Sequence, residues 1–117
     1  DVAASCERKA TKGRVICDVD IETVSGRIAW ADVVVLKAPP FAPPLRSRVG
    51  LGDARSRTDQ RVRIPVALVA TAEGHGIVTM RVRATLCSPN PRASGKSCRP
   101  RTKDVTAELV VGTDIEH

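Results

Sequence analysis

"GIVTMRVRATL", residues 76–86, decides the fold. Val78, Met80, Val82, Ala84 and Leu86 alternate with Thr79, Arg81, Arg83 and Thr85. Residues two apart share a face of an extended strand, whereas a helix repeats every ~3.6 residues. An apolar row beside a polar row therefore predicts an antiparallel strand with one face buried and one wet. The period recurs along the chain. "RVICDVDIETV" (14–24) sets Val15, Cys17, Val19 and Ile21 against Ile16, Asp18, Asp20 and Glu22. "RVRIPVALVA" (61–70) sets Val62, Ile64, Val66 and Leu68 against Arg61, Arg63, Pro65 and Ala67. "DVTAELVVG" (104–112) sets Val105, Ala107 and Leu109 against Thr106 and Glu108.

Between these runs stand less regular stretches. "RIAWADVVVLK" (27–37) is apolar from Ile28 to Leu36. Its Val33, Val34 and Val35 favour a strand, either covered on both sides or bulged. Ser25-Gly26 marks a tight turn before it. "APPFAPPL" (38–45) has four prolines, which remove ladder donors, so it reads as an extended crossover between sheets. "RVGLGDARSRTDQ" (48–60) reads as a loop or ragged edge strand, and "AEGHG" (72–76) as a hairpin turn. Pro65 points to an edge strand or a bulge. Short strands with turn signals between them predict an all-β, immunoglobulin-like antiparallel sandwich of about seven strands. At 117 residues the chain suits one domain, 1–117.

The core must be aliphatic, since 42% of residues are hydrophobic but only Trp30 and Phe41 are aromatic. A platform of stacked rings for sugars or bases is thereby excluded. The net charge of +6 comes mostly from arginines spread along the chain, with no nucleic-acid motif around them. They read as a solvated face, and no specific nucleic acid is expected. No segment is apolar enough for a membrane span, so no membrane insertion is expected.

Four cysteines form two pairs, each eleven positions apart. Neither pair has the close spacing of a structural zinc site, so two disulfides are expected and no metal. That predicts a secreted or periplasmic protein, and "DVAASC" would suit a processed start. Cys6 and Cys17 flank a turn at Lys12-Gly13. Cys17 shares parity with Val15 and Val19, so this bridge is read as a buried structural staple, contributing roughly 2–4 kcal/mol. Cys87 shares parity with Thr85 and Arg83, on the wet side. Lys96, Arg99 and Arg101 stand near Cys98 in sequence, where cations lower a thiol's pKa by stabilising its thiolate. Two readings follow for Cys87–Cys98: a loop staple, or a catalytic pair for thiol–disulfide exchange.

The stretch "VRATLCSPNPRASGKSCRPRTKDVTAELVV" resembles the end of the immunoglobulin-like periplasmic N-terminal domain of DsbD-type thiol:disulfide interchange proteins. The elements that carry the likeness are a strand into Cys87, a loop, Cys98-Arg99-Pro100 and a final strand. Leu86 and Arg99 stand where that family commonly has an aromatic beside its cysteines. The resemblance implies redox activity of Cys87 and Cys98 with a thioredoxin-like partner.

Other chemistry lacks support. His75 lies in a Gly-flanked turn and His117 at the end, neither with an evident nucleophile. Asp18, Asp20 and Glu22 read as the polar side of a strand. With no phosphate loop or dinucleotide fingerprint, no cofactor is expected. The sequence therefore supports an exported, non-catalytic accessory or binding domain with a protein partner. The alternative is a periplasmic exchange module.

Overall fold

The computed structural model describes residues 1–88 and 98–112. Eight strands build it: β1 (Val2–Cys6), β2 (Gly13–Glu22), β3 (Arg27–Lys37), β4 (Arg48–Gly50), β5 (Ser56–Arg57), β6 (Arg61–Ala70), β7 (Gly74–Cys87) and β8 (Cys98–Val111). They form two antiparallel sheets, ordered β1-β2-β6-β5 and β4-β3-β7-β8. Lettered in chain order, that is the A-B-E-D sheet and the C-F-G sheet with C′ added, the immunoglobulin-like arrangement. The strand beyond seven comes from the ragged stretch at 48–60, which contributes both β4 and β5.

The apolar rows meet between the sheets. Val15, Cys17, Val19 and Ile21 of β2 and Val62, Ile64, Val66 and Leu68 of β6 face Val78, Met80, Val82 and Ala84 of β7, all buried. Alternation puts every second residue on the inner face, so one strand delivers four or five side chains to a shared layer.

The strand β3 breaks the simple pattern. Its register against β7 shifts between Ile28 and Trp30, and again between Val35 and Lys37. An extra residue at Ala29 reverses the parity. Ile28, Ala31 and Val33 therefore enter the core, while Trp30 and Asp32 turn to the outer face. The bulged alternative read from the sequence is the one adopted.

The Pro-rich stretch does not carry the chain from one sheet to the other, as its prolines suggested: it leaves β3 and returns to the same sheet as β4, having run along the edge of the other sheet. The Leu45 N–H donates to the Ala67 carbonyl, Val69 to Pro43 and Thr71 to Phe41. Phe41 and Pro39 close one end of the sandwich against Gly74 and Gly76. A Cβ at either glycine would lie 2.7 Å from Phe41 Cε1 or 2.6 Å from Pro39 Cγ. Pro65 falls between β5, which pairs as far as Arg63, and the crossover, which bonds from Ala67 onward. Residues 63, 65, 67 and 69 turn their backbones to that edge, so the missing donor of Pro65 leaves no acceptor unmatched.

Residues 72–76 are not a hairpin turn, because β6 and β7 lie in different sheets. Turn residues mark a reversal of the chain but do not say which sheet the next strand joins.

Candidate functional site

Both expected disulfides are present. Each joins residues directly opposed across neighbouring strands: Cys6 and Cys17 on β1 and β2, Cys87 and Cys98 on β7 and β8. Cys17 is wholly buried in the core, as its parity with Val15 and Val19 required. The first bridge thus ties the five-residue edge strand β1 to the sheet interior.

The second bridge lies on the outer face at the end of the other sheet. Cys87 lies outside the hydrophobic core yet is only 6% exposed. Alternation gave the correct face, but a central strand is covered by neighbours on both sides. Arg27 of β3 stands opposite Cys87 on one side and Cys98 on the other. Cys98, on the edge strand, is exposed. Arg99 and Arg101 stand opposite Leu86 and Ala84, and so occupy the other face of β8 from Cys98. Lys96 lies outside the described residues. Arg27, distant in sequence, is the cation that the register brings beside Cys87.

A second constellation, invisible from local sequence, occupies the same outer face. Asp32 is fully buried there. Arg83 Nε donates to its Oδ1 at 2.8 Å and Arg83 Nη2 to its Oδ2; Arg48 Nε donates to Oδ2 at 2.6 Å. The Arg83 guanidinium also stands 5.9 Å from the centre of the Trp30 ring, itself 39% exposed. The hydrogen bonds from Arg83 hold the Asp32 carboxyl below the usual carboxylate range; burial opposes them, and Arg48 adds to them. Next to it, Arg81 grips Asp104 with two bonds at 2.9 and 3.2 Å.

The outer face of the first sheet is knitted in the same way. Arg63 donates twice to Asp20, at 2.9 and 3.3 Å, and Arg55 lies 3.6 Å from Asp18. His75 pairs with Glu108 at 3.0 Å on the surface. Among the described residues no cluster of three His, Cys, Asp or Glu side chains is placed to hold a metal. No helix there is long and apolar enough to cross a membrane.

Fold and site together define an all-β, immunoglobulin-like sandwich with two cross-strand disulfides and an arginine-laced outer surface. No family model matches the chain, and no curated protein does. Among solved structures the chain is similar to AggA, the major subunit of aggregative adherence fimbriae type I from Escherichia coli. The TM-score is 0.45 at 10% identity, over 95% of this chain and 94% of that one.

Proposed function

We propose that this chain is an exported, non-catalytic binding domain whose two disulfides are both structural. The observation that carries the reading is the placement of the bridges. Each ties an edge strand, β1 or β8, to an inner neighbour, and each has one cysteine withdrawn from solvent: Cys17 wholly, Cys87 to 6% exposure. Exchange at either bridge would have to begin at the one outer sulfur, Cys6 or Cys98, and a cross-link from an edge strand to its neighbour is placed to hold that edge. Two such staples in a short chain favour an oxidising compartment. The binding surface would be the outer face around Trp30, where an exposed ring and a clamped arginine offer the residue types that dominate protein recognition.

The test is equilibration of the oxidised protein in graded redox buffers, with the thiols of Cys87 and Cys98 quantified by mass. A reduction potential below about −300 mV supports staples. A potential near those of exchange proteins, about −270 mV or higher, overturns this reading.

A second reading rests on a different observation. Cys98 is exposed and Cys87 lies beside Arg27. A thioredoxin-like partner would attack the Cys98 sulfur, releasing the Cys87 thiolate next to a cation. Arg27→Ala would then slow exchange, whereas a staple would be indifferent to it.

A further inference from the structure

The inner face of the sandwich is not sealed along its whole length. The inward row of β7 stays apolar from Val78 through Ala84 to Leu86. The matching row of β8 changes character halfway: Val111, Leu109, Ala107 and Val105 give way to Lys103, Arg101 and Arg99. The β7–β8 ladder is unbroken, so these three basic residues keep the parity of the core row. Where the row changes, β1 and β8 flank a cleft of about 350 Å³ between the sheets. Val2 and Leu86 are its partly exposed walls, Ile21, Val82 and Ala84 its nearly closed floor, and Arg101 and Lys103 stand at its β8 lip.

The charges at the mouth are asymmetric. Asp1 and Glu22 also border the cleft, but they are opposed to one another one step beyond the Val2–Ile21 pair. Ile21 points inward, so alternation turns the side chains of Asp1 and Glu22 toward the outer face. The side chains of inward parity are therefore apolar or cationic. Among the described residues, Arg101 and Lys103 have no carboxylate partner, unlike Arg48, Arg63, Arg81 and Arg83.

We propose that this cleft binds a single-chain amphipathic carboxylate, its hydrocarbon tail between the sheets and its head on Arg101 and Lys103. The volume falls within the range of small-molecule sites, and the apolar floor with few polar anchors fits their usual composition. The site is separate from both disulfides, so its failure would leave the reading of the cysteines untouched.

Decanoate below its micelle concentration is the probe, titrated into the oxidised full chain and followed by amide chemical shifts. Saturable one-to-one shifts at Ile21, Val82, Ala84 and Leu86 are expected. Octanoate should bind about tenfold more weakly, from two fewer buried methylenes. The double variant Arg101→Glu/Lys103→Glu, exposed at both sites, should lose at least tenfold for decanoate and gain binding of decyltrimethylammonium. Absence of saturation at those amides would overturn the proposal. So would equal binding of decanol, or a double variant that keeps its decanoate affinity. If wild type ignores decanoate and Arg101→Gln/Lys103→Gln self-associates, the inward cations instead guard the seam against strand addition, and the ligand site is refuted.

Discussion

Asp32 is the residue on which the outer face of the second sheet depends. Its carboxylate is out of water, while the arginines that clamp it are roughly half exposed, at 41% and 58%. Breaking a fully buried ion pair costs about 3–5 kcal/mol, because the remaining charge is stranded. Here the arginines can turn to solvent, so we expect Asp32→Asn to cost less, about 2–3 kcal/mol. Thermal unfolding should show a fall in Tm of about 10 °C. A change under 2 °C would mean that the clamp contributes no net stability. The sequence hid this residue. Asp32 sits inside an apolar run, and strict alternation from Ile28 would have sent it into the core. Only the bulge at Ala29 reverses that, and a bulge is a property of pairing that single-strand periodicity does not encode. Its partner Arg83 is 51 positions away, beyond any local pattern. Cys17, by contrast, was legible, because it shares the parity of an unbroken apolar row.

At the scale of elements, closure of the sandwich rests on the crossover at one end and the disulfides at the edges. Gly74 and Gly76 lie under Phe41 and Pro39, and the Pro39 ring, fused to its own backbone, cannot retreat without moving the crossover that pairs with β6. Gly76→Ala is therefore expected to destabilise the fold by about 1–3 kcal/mol through overpacking. Urea unfolding should give a lower midpoint with an unchanged slope. Gly52→Ala, where a Cβ meets nothing within 4 Å, is the control and should leave the midpoint in place. The two disulfides differ in the same way. Cys6→Ala/Cys17→Ala removes a cross-link and leaves a hole at a fully buried site, whereas Cys87→Ser/Cys98→Ser removes a cross-link outside the core. Expected losses are about 3–4 kcal/mol for the first and about 2–3 for the second. Equal losses would show that core packing around Cys17 contributes little. The strands β2, β6, β7 and β8 were readable because period two is a local signal. The path of the crossover and the sheet joined by β7 were not, since prolines and turn residues set local backbone angles without naming a distant partner.

At the scale of the whole molecule, shape and charge act together. The radius of gyration is 16.0 Å, against about 13 Å for an ordinary compact chain of this length. Extents of 56 × 24 × 20 Å make the body long and narrow. The 14-residue strands β7 and β8, at about 3.3 Å per residue, set that long axis. A slender body exposes much surface per unit of core, and Arg–Asp pairs lie across both outer faces. The total charge was legible from composition, but the pairing depends on cross-strand register, as for Arg81 with Asp104 and Arg63 with Asp20. That pairing makes the fold sensitive to acid. Asp32 and Asp104 are held below the usual range chiefly by hydrogen bonds from Arg83 and Arg81, and Asp53 chiefly by the backbone N–H of Gly50. A carboxyl depressed by folding stabilises the native state fully above its unfolded pKa, about 3.9 for Asp. The contribution shrinks as pH falls through that value and is gone below the lower folded one. Over the same interval the 13 acidic residues lose their charge, and the 19 Lys and Arg residues are left unbalanced. Stability should therefore be level from about pH 8 to 5 and fall steadily below about pH 4. Asp32→Asn should flatten part of that fall, because the variant has already lost the titrating group. Chemical unfolding across the pH series reads both effects. A wild-type midpoint unchanged down to pH 2.5, or an Asp32→Asn profile parallel to wild type, would show that the arginine clamps do not couple protonation to folding.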